Sequence, residues 1–246
     1  DIGSSSGGPG QCSWSYDVTP YSHLLREEQE LSLYIETWIG GDRGWKVSVN
    51  FDFQQGVPDL EPYRVVNLWD FGRLVYGNPN NPISTHLTEQ IVQLDSTTKK
   101  AIVRTTVTGH GQGNTDNAAE FSLRWHRISA GNLNRQWTPW RYDCASNTCS
   151  PQGGTCSYGR AGWCPGSGSW PEEFDVSSQM DTNGALTLNY TIEPYENCCR
   201  PDNVDCDHTN GACCISFAGE CGWNYTGHTE PHFDLNSQLI LYRCPQ

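Results

Sequence analysis

Twelve cysteines are the first residues of this 246-residue sequence whose type and placement speak to chemistry. They are scattered or doubled, as in Cys198-Cys199 and Cys213-Cys214, within stretches rich in Gly, Pro and Asn. The two close pairs backed by histidines that a zinc site needs are absent, so the pattern reads as disulfides formed in an oxidising compartment. Two sequons agree with that compartment: Asn189-Tyr190-Thr191 and Asn224-Tyr225-Thr226 are glycosylation acceptors in a secretory pathway. Two carboxylates, Glu36 and Glu120, stand within apolar, strand-like runs. There a carboxylate either points to solvent, which is the ordinary case, or is held by specific partners. Asp202, Asp205 and Asp207 cluster in the Cys-rich stretch, but their spacing fits no EF-hand loop. Ten Trp and eleven Tyr give flat rings with a polar edge, suited to strand packing, interfaces and the apolar face of a sugar.

The elements that must position these groups are strands. Leu31–Trp38 and Trp45–Phe53 alternate apolar and polar residues, and Gly40-Gly41 with Asp42-Arg43-Gly44 sits between them as a hairpin loop would. Further strands are predicted at Tyr63–Leu68, Thr88–Leu94, Ala101–Thr108, Glu120–Ile128, Glu173–Val176, Ala185–Ile192 and Gln238–Tyr242. Only Tyr21–Gln29 has helical character, with Ser22 as its N-cap. Many short strands joined by Gly/Pro/Asn turns predict an all-β chain of β-sandwich or jelly-roll type. Pro58 and Pro62 interrupt the pattern and predict a seam over 58–66. The expected organisation is an exposed tail over 1–16, a partial first domain over 17–57, and a complete second domain over 67–246. A Cys-rich insertion near 197–222 decorates the second domain.

Charge excludes some partners. With net charge −13 and no basic run, the chain lacks the positive footprint that nucleic acid or an anionic membrane requires. No stretch reaches the roughly 18 apolar residues of a membrane span. No signal peptide is present, so the sequence reads as a mature or trimmed form of a secreted, extracellular protein.

Several runs carry a family resemblance. Glu30–Trp38, Val47–Asp52, Val103–Gly109, Ala119-Glu120-Phe121, Arg124-Trp125-His126 and Arg160–Gly166 resemble segments of the peptide:N-glycosidase F family, in the same order and at similar spacings. The resemblance covers about Asp17–Ile128 and Cys144–Gly166. It implies two side-by-side jelly rolls, a plan shared with the copper enzyme peptidylglycine α-hydroxylating monooxygenase, and a site in the cleft between them. The implied reaction is hydrolysis of the amide that links asparagine to N-acetylglucosamine, without a cofactor.

By that match Glu36 and Glu120 are the two site glutamates, expected on strands of different domains. Trp38, His110 and Arg160 fall at substrate-binding positions, with His110 where the family has a tryptophan. Cys144 and Cys164 match a family disulfide, while a second bridge flanking the site glutamate is replaced by Ala118 and Ser122. The family's principal aspartate lies upstream of the segment matching Asp17-Val18-Thr19, and no residue of this sequence is assigned to it. The expected partner is an N-glycoprotein or glycan, together with an N-terminal portion of the same protein or an extracellular assembly. The alternative is a non-catalytic glycan-binding or assembly module of the same fold. The copper relatives bring in a third reading, since neutral imidazoles suit copper. Its weak metal candidates are His110, His126 and His232, beside His228 and Met180, but the relatives' His-x-His is absent.

Overall fold

A computed structural model of the chain describes residues 12–35, 46–146, 155–200 and 229–245. Eight strands dominate it: β1 (Glu61–Val75), β2 (Gln90–Gln93), β3 (Lys100–His110), β4 (His126–Ala130), β5 (Leu133–Trp137), β6 (Glu172–Asp175), β7 (Ala185–Ile192) and β8 (His232–Arg243). They form two four-stranded antiparallel sheets, ordered β1-β8-β3-β6 and β2-β7-β4-β5. That order, with strand pairs exchanged between two sheets, is an eight-stranded jelly roll. The all-β expectation is met, and β7 coincides with the stretch read from alternation alone.

Period-two patterning explains the layering. On β3 the residues Ala101, Val103, Val107 and Gly109 are buried, while Arg104, Thr106, Thr108 and His110 between them are only partly covered. On β8 Phe233, Leu235, Leu239 and Leu241 face the same interior. Opposite them Ile128, Leu186, Leu188 and Tyr190 complete a core built around Trp69 and Tyr76. Thr105 and Ser237 meet across β3 and β8 within this interior, and their hydroxyls satisfy each other at 2.8 Å. The outer face of the first sheet carries the N-terminal segment: Tyr21 donates from its hydroxyl to Gln238 at 2.7 Å and lies beneath the Arg104 guanidinium.

Four expectations are corrected. The helical character at Tyr21–Gln29 becomes two three-residue 3-10 turns, Thr19–Tyr21 and Leu24–Arg26, with no side-chain cap; Ser22 closes the first. Tertiary anchors such as the Tyr21–Gln238 bond override a weak local propensity there. The strand predicted from Glu120 starts only at His126, because a tight turn occupies 118–122. β5 was not predicted; it is an edge strand of mostly exposed residues with no alternation to read. Within the predicted hairpin, residues 31–35 and 46–53 form no strand, and Leu31, Leu33, Val47, Val49, Phe51 and Phe53 are exposed. Alternation alone does not make a strand; it needs a neighbouring edge to hydrogen-bond and a face to cover. β1 begins at Glu61, with Pro62 beside a register shift on this edge strand, where a missing N–H is tolerated.

Candidate functional site

The site grows from one end of β3. Gly109 sits where the turn residue Ala119 and Ala161 close in: a Cβ added there would lie 1.9 Å from the Ala119 carbonyl oxygen. Only glycine admits that approach. The Ala161 carbonyl accepts from the Gly109 N–H, and the Ala161 N–H donates to the Glu120 carbonyl, so the three segments are laced together.

The turn ahead of Glu120 is strained and deliberately held. Asp116, Asn117 and Ala119 all have left-handed backbones, at φ 60°, 51° and 68°. Asp and Asn tolerate this region, but Ala pays a Cβ clash of about 1–2 kcal/mol. The fully buried Asn114 pins the turn by accepting from the Ala118 N–H at 2.6 Å and donating to the Ala118 carbonyl at 3.3 Å. The Asn117 side chain accepts from Gly113, and Arg124 ties Asp116 to Glu193. Ala118 stands where the resemblance implied half of a bridge; here side-chain hydrogen bonds hold the backbone instead.

This turn presents Glu120 to Arg160. The guanidinium, in a residue only 2% exposed, donates from Nη1 to Glu120 Oε1 at 3.0 Å, and the Gly111 N–H donates to Oε2 at 3.1 Å. Its remaining donors reach the Tyr158 and Thr155 carbonyls, and the cation lies against the Phe121 and Trp163 rings. Arg160 is therefore spent on Glu120 and on its own loop, which the Cys144–Cys164 disulfide staples. The Glu120 side chain keeps 13% exposure, so it is not wholly closed off from solvent. Burial raises its pKa, and the Gly111 N–H and Arg160 only partly offset that.

Trp163 links this pair to two imidazoles. Its indole N–H donates to the Gly109 carbonyl, and its ring lies 5.1 Å from that of His110. His110 stacks on His232, its register partner on β8, at 5.3 Å. Burial, with His232 alongside, lowers the His110 pKa to about 4, so its ring is neutral at physiological pH. His110 Nε2 bonds Thr108 at 2.8 Å and stands 3.6 Å from Asp234, whose pKa burial raises. Trp163, Asp234 and the Gly111 N–H were not singled out from sequence. Strand register brings Asp234 beside His110, and no linear motif encodes that.

The other expected residues lie elsewhere. His126 is fully buried among Trp137, Tyr190 and Phe233, with Nδ1 bonded to the Tyr190 hydroxyl and Nε2 unpartnered. Among the described residues no three His, Cys, Asp or Glu side chains are grouped to hold a metal ion. Asn189 lies on β7, half-exposed, donating to Glu89 at 3.2 Å. Glu36, Trp38 and Asn224 lie outside the described residues. Among those described, no helix is long and apolar enough to cross a membrane.

Residues 80–215 match the family described as peptide-N-glycosidase F, C terminal. Over 189 residues the chain is 32% identical to a peptide-N(4)-(N-acetyl-beta-D-glucosaminyl)asparagine amidase F of Elizabethkingia miricola, covering 74% of this chain and 52% of that protein. In fold it is similar to PNGase F, a glycosylasparaginase from Flavobacterium meningosepticum. That structure aligns with a TM-score of 0.52 at 22% identity, over 73% of this chain and 51% of the other. A second structure of such an amidase gives 0.51 at 21%, over 74% and 52%. The chain spans about half the length of the relatives it matches.

Proposed function

Because this chain belongs to the peptide-N-glycosidase F family, we propose that it acts in hydrolysis of the amide between asparagine and N-acetylglucosamine in N-glycoproteins. The observation that carries this reading is Glu120: a carboxylate fixed at both oxygens in a side chain that is mostly buried yet keeps some exposure. Each carboxylate oxygen still has a lone pair free after its internal bond. Those lone pairs suit the N–H and O–H donors of a glycosylated asparagine. Burial makes Glu120 more basic than a free glutamate and strengthens the bonds it accepts. Arg160 positions Glu120, and its contact with Trp163, which packs on the neutral His110, holds these rings close to the pair.

Amide cleavage also needs an activated water and donors for the developing oxyanion. The resemblance assigns further site groups to Glu36, Trp38 and an aspartate with no counterpart here, so Glu120 is proposed as an orienting group. The disulfide supports an oxidising, extracellular setting. The test is incubation of the secreted protein with a denatured N-glycoprotein. Mass spectrometry should find free glycan and conversion of the glycosylated Asn to Asp. Release should drop at least ~100-fold in Glu120→Gln. Absence of release from the intact secreted protein would refute hydrolysis, and retained binding of the glycoprotein would then favour a non-catalytic module.

A further inference from the structure

A cavity of about 200 Å³ opens between the ends of edge strands β5 and β6, one from each sheet. Its origin is topological. β6 pairs with β3 only over Ile102–Thr105, and beyond that Ala161 and Gly162 take the place beside β3. The gap between these two covers leaves Thr105 and Val107 as the cavity's inner wall. Three tryptophans, Trp137, Trp140 and Trp170, are among its lining residues, and Glu172 and Arg141 supply its charges.

The rigidity of these groups favours a built site. Arg141 is held by Asp143 through two bonds at 2.8 and 2.7 Å, and it also donates to the Gly168 carbonyl and the Ser167 hydroxyl. Four of its five N–H groups are thus committed, leaving one Nη1 proton fixed in place. Trp170 rests on Tyr16 at 5.1 Å. The Glu172 carboxylate, exposed at the rim, makes no ion pair among the described residues.

We propose that this cavity binds a single hexopyranose ring, separately from the Glu120–Arg160 pair. Indole faces cover the apolar C–H side of a pyranose, and Glu172 with the remaining Arg141 proton accepts from and donates to its hydroxyls. Size selects one ring, being below the ~300–1,000 Å³ of pockets for drug-sized ligands. Charge argues against an anion, since Glu172 lines the cavity and the chain carries net charge −13. The inference does not depend on amide hydrolysis by this chain.

The test is saturation-transfer difference NMR on the whole protein with N-acetylglucosamine, methyl mannoside and glucose as probes, and an Asn-Gly-Thr tripeptide as comparator. Saturation transfer to at least one sugar is expected. Trp170→Ala and Glu172→Gln, both at surface positions, should each weaken it about tenfold. For methyl mannoside and glucose, Glu120→Gln should leave it within twofold, which separates this cavity from the site above, where N-acetylglucosamine is the proposed ligand. No transfer to any sugar would overturn the proposal. So would transfer to the tripeptide alone, or sugar binding lost in Glu120→Gln but kept in both cavity variants.

Discussion

Replacing Arg160 by Met tests the linkage at the centre of the site. Removing one partner of a buried ion pair costs about 3–5 kcal/mol when the other is left without compensation. Glu120 keeps the Gly111 N–H and some solvent, which places its share near the lower end, about 3 kcal/mol. The Tyr158 and Thr155 carbonyls also lose a donor, each worth about 0.5–1.5 kcal/mol. Methionine recovers part of the packing against Phe121 and Trp163. A net loss of about 4 kcal/mol follows, or a fall in Tm of about 8–16 °C for a domain of this size.

The pH dependence has a definite sign. The Glu120 pKa is already raised in the folded state, so its contribution is fully present below the unfolded value and is lost as pH rises through the folded one. Without Arg160 the folded value rises further, and the variant's deficit should be larger at pH 8 than at pH 5. Urea unfolding at both pH values, with Glu120→Gln and the double variant closing a cycle, reads all of this. The double variant should be at least ~1.5 kcal/mol more stable than additivity predicts. A loss under ~1 kcal/mol, equal deficits at both pH values, or strict additivity would refute the reasoning.

His126 makes a second pH prediction. Burial lowers its pKa to about 3, against about 6.5 in an unfolded chain, so the unfolded state binds more protons between those values and stability falls as pH drops. The full window is worth on the order of 5 kcal/mol. Replacing His126 and Tyr190 together by Phe removes the titrating group without orphaning the tyrosine hydroxyl. The variant's unfolding profile should be flatter than the parent's from pH 6.5 downward, and parallel profiles would contradict the assignment. Ala119→Gly should stabilise the fold by about 1 kcal/mol, since glycine has no Cβ clash at φ 68°. A destabilised variant in thermal unfolding would show that the left-handed conformation is not the one adopted.

Much of the scaffold was legible because burial on one face writes itself as alternation. β3, β7 and β8 show it: their interior positions are apolar at every second residue, apart from the Thr105–Ser237 pair and Gly109. β5 escaped because an exposed edge needs no apolar face. Residues 31–35 and 46–53 misled in the opposite direction, since their alternation has no partner strand among the described residues. The site was half legible. Glu120, Arg160 and His110 came from resemblance, but the turn that aims Glu120 depends on backbone signs at Asp116, Asn117 and Ala119 that no residue type there announces. The contact between His110, His232 and Asp234 depends on strand register, which links positions over 120 residues apart.

The placement of unfavourable features argues for function more strongly than any one contact does. Elsewhere in the sandwich Thr105 is matched with Ser237 and Trp69 with the Thr88 carbonyl, and the buried His126 keeps one nitrogen unpartnered. Around Glu120 the chain instead concentrates three left-handed non-glycine residues, a buried ion pair and an imidazole kept neutral by burial. Each is costly alone, and a hydrophobic replacement for the ion pair would often fold as well or better. Asn114, the disulfide and the Gly109 approach over-determine the same few residues, so the strain cannot relax without unlacing three segments. A carboxylate fixed at both oxygens in a side chain that keeps some exposure is the product of that arrangement. Such a group needs no reorganisation when a donor arrives, which is the property a substrate-orienting residue requires.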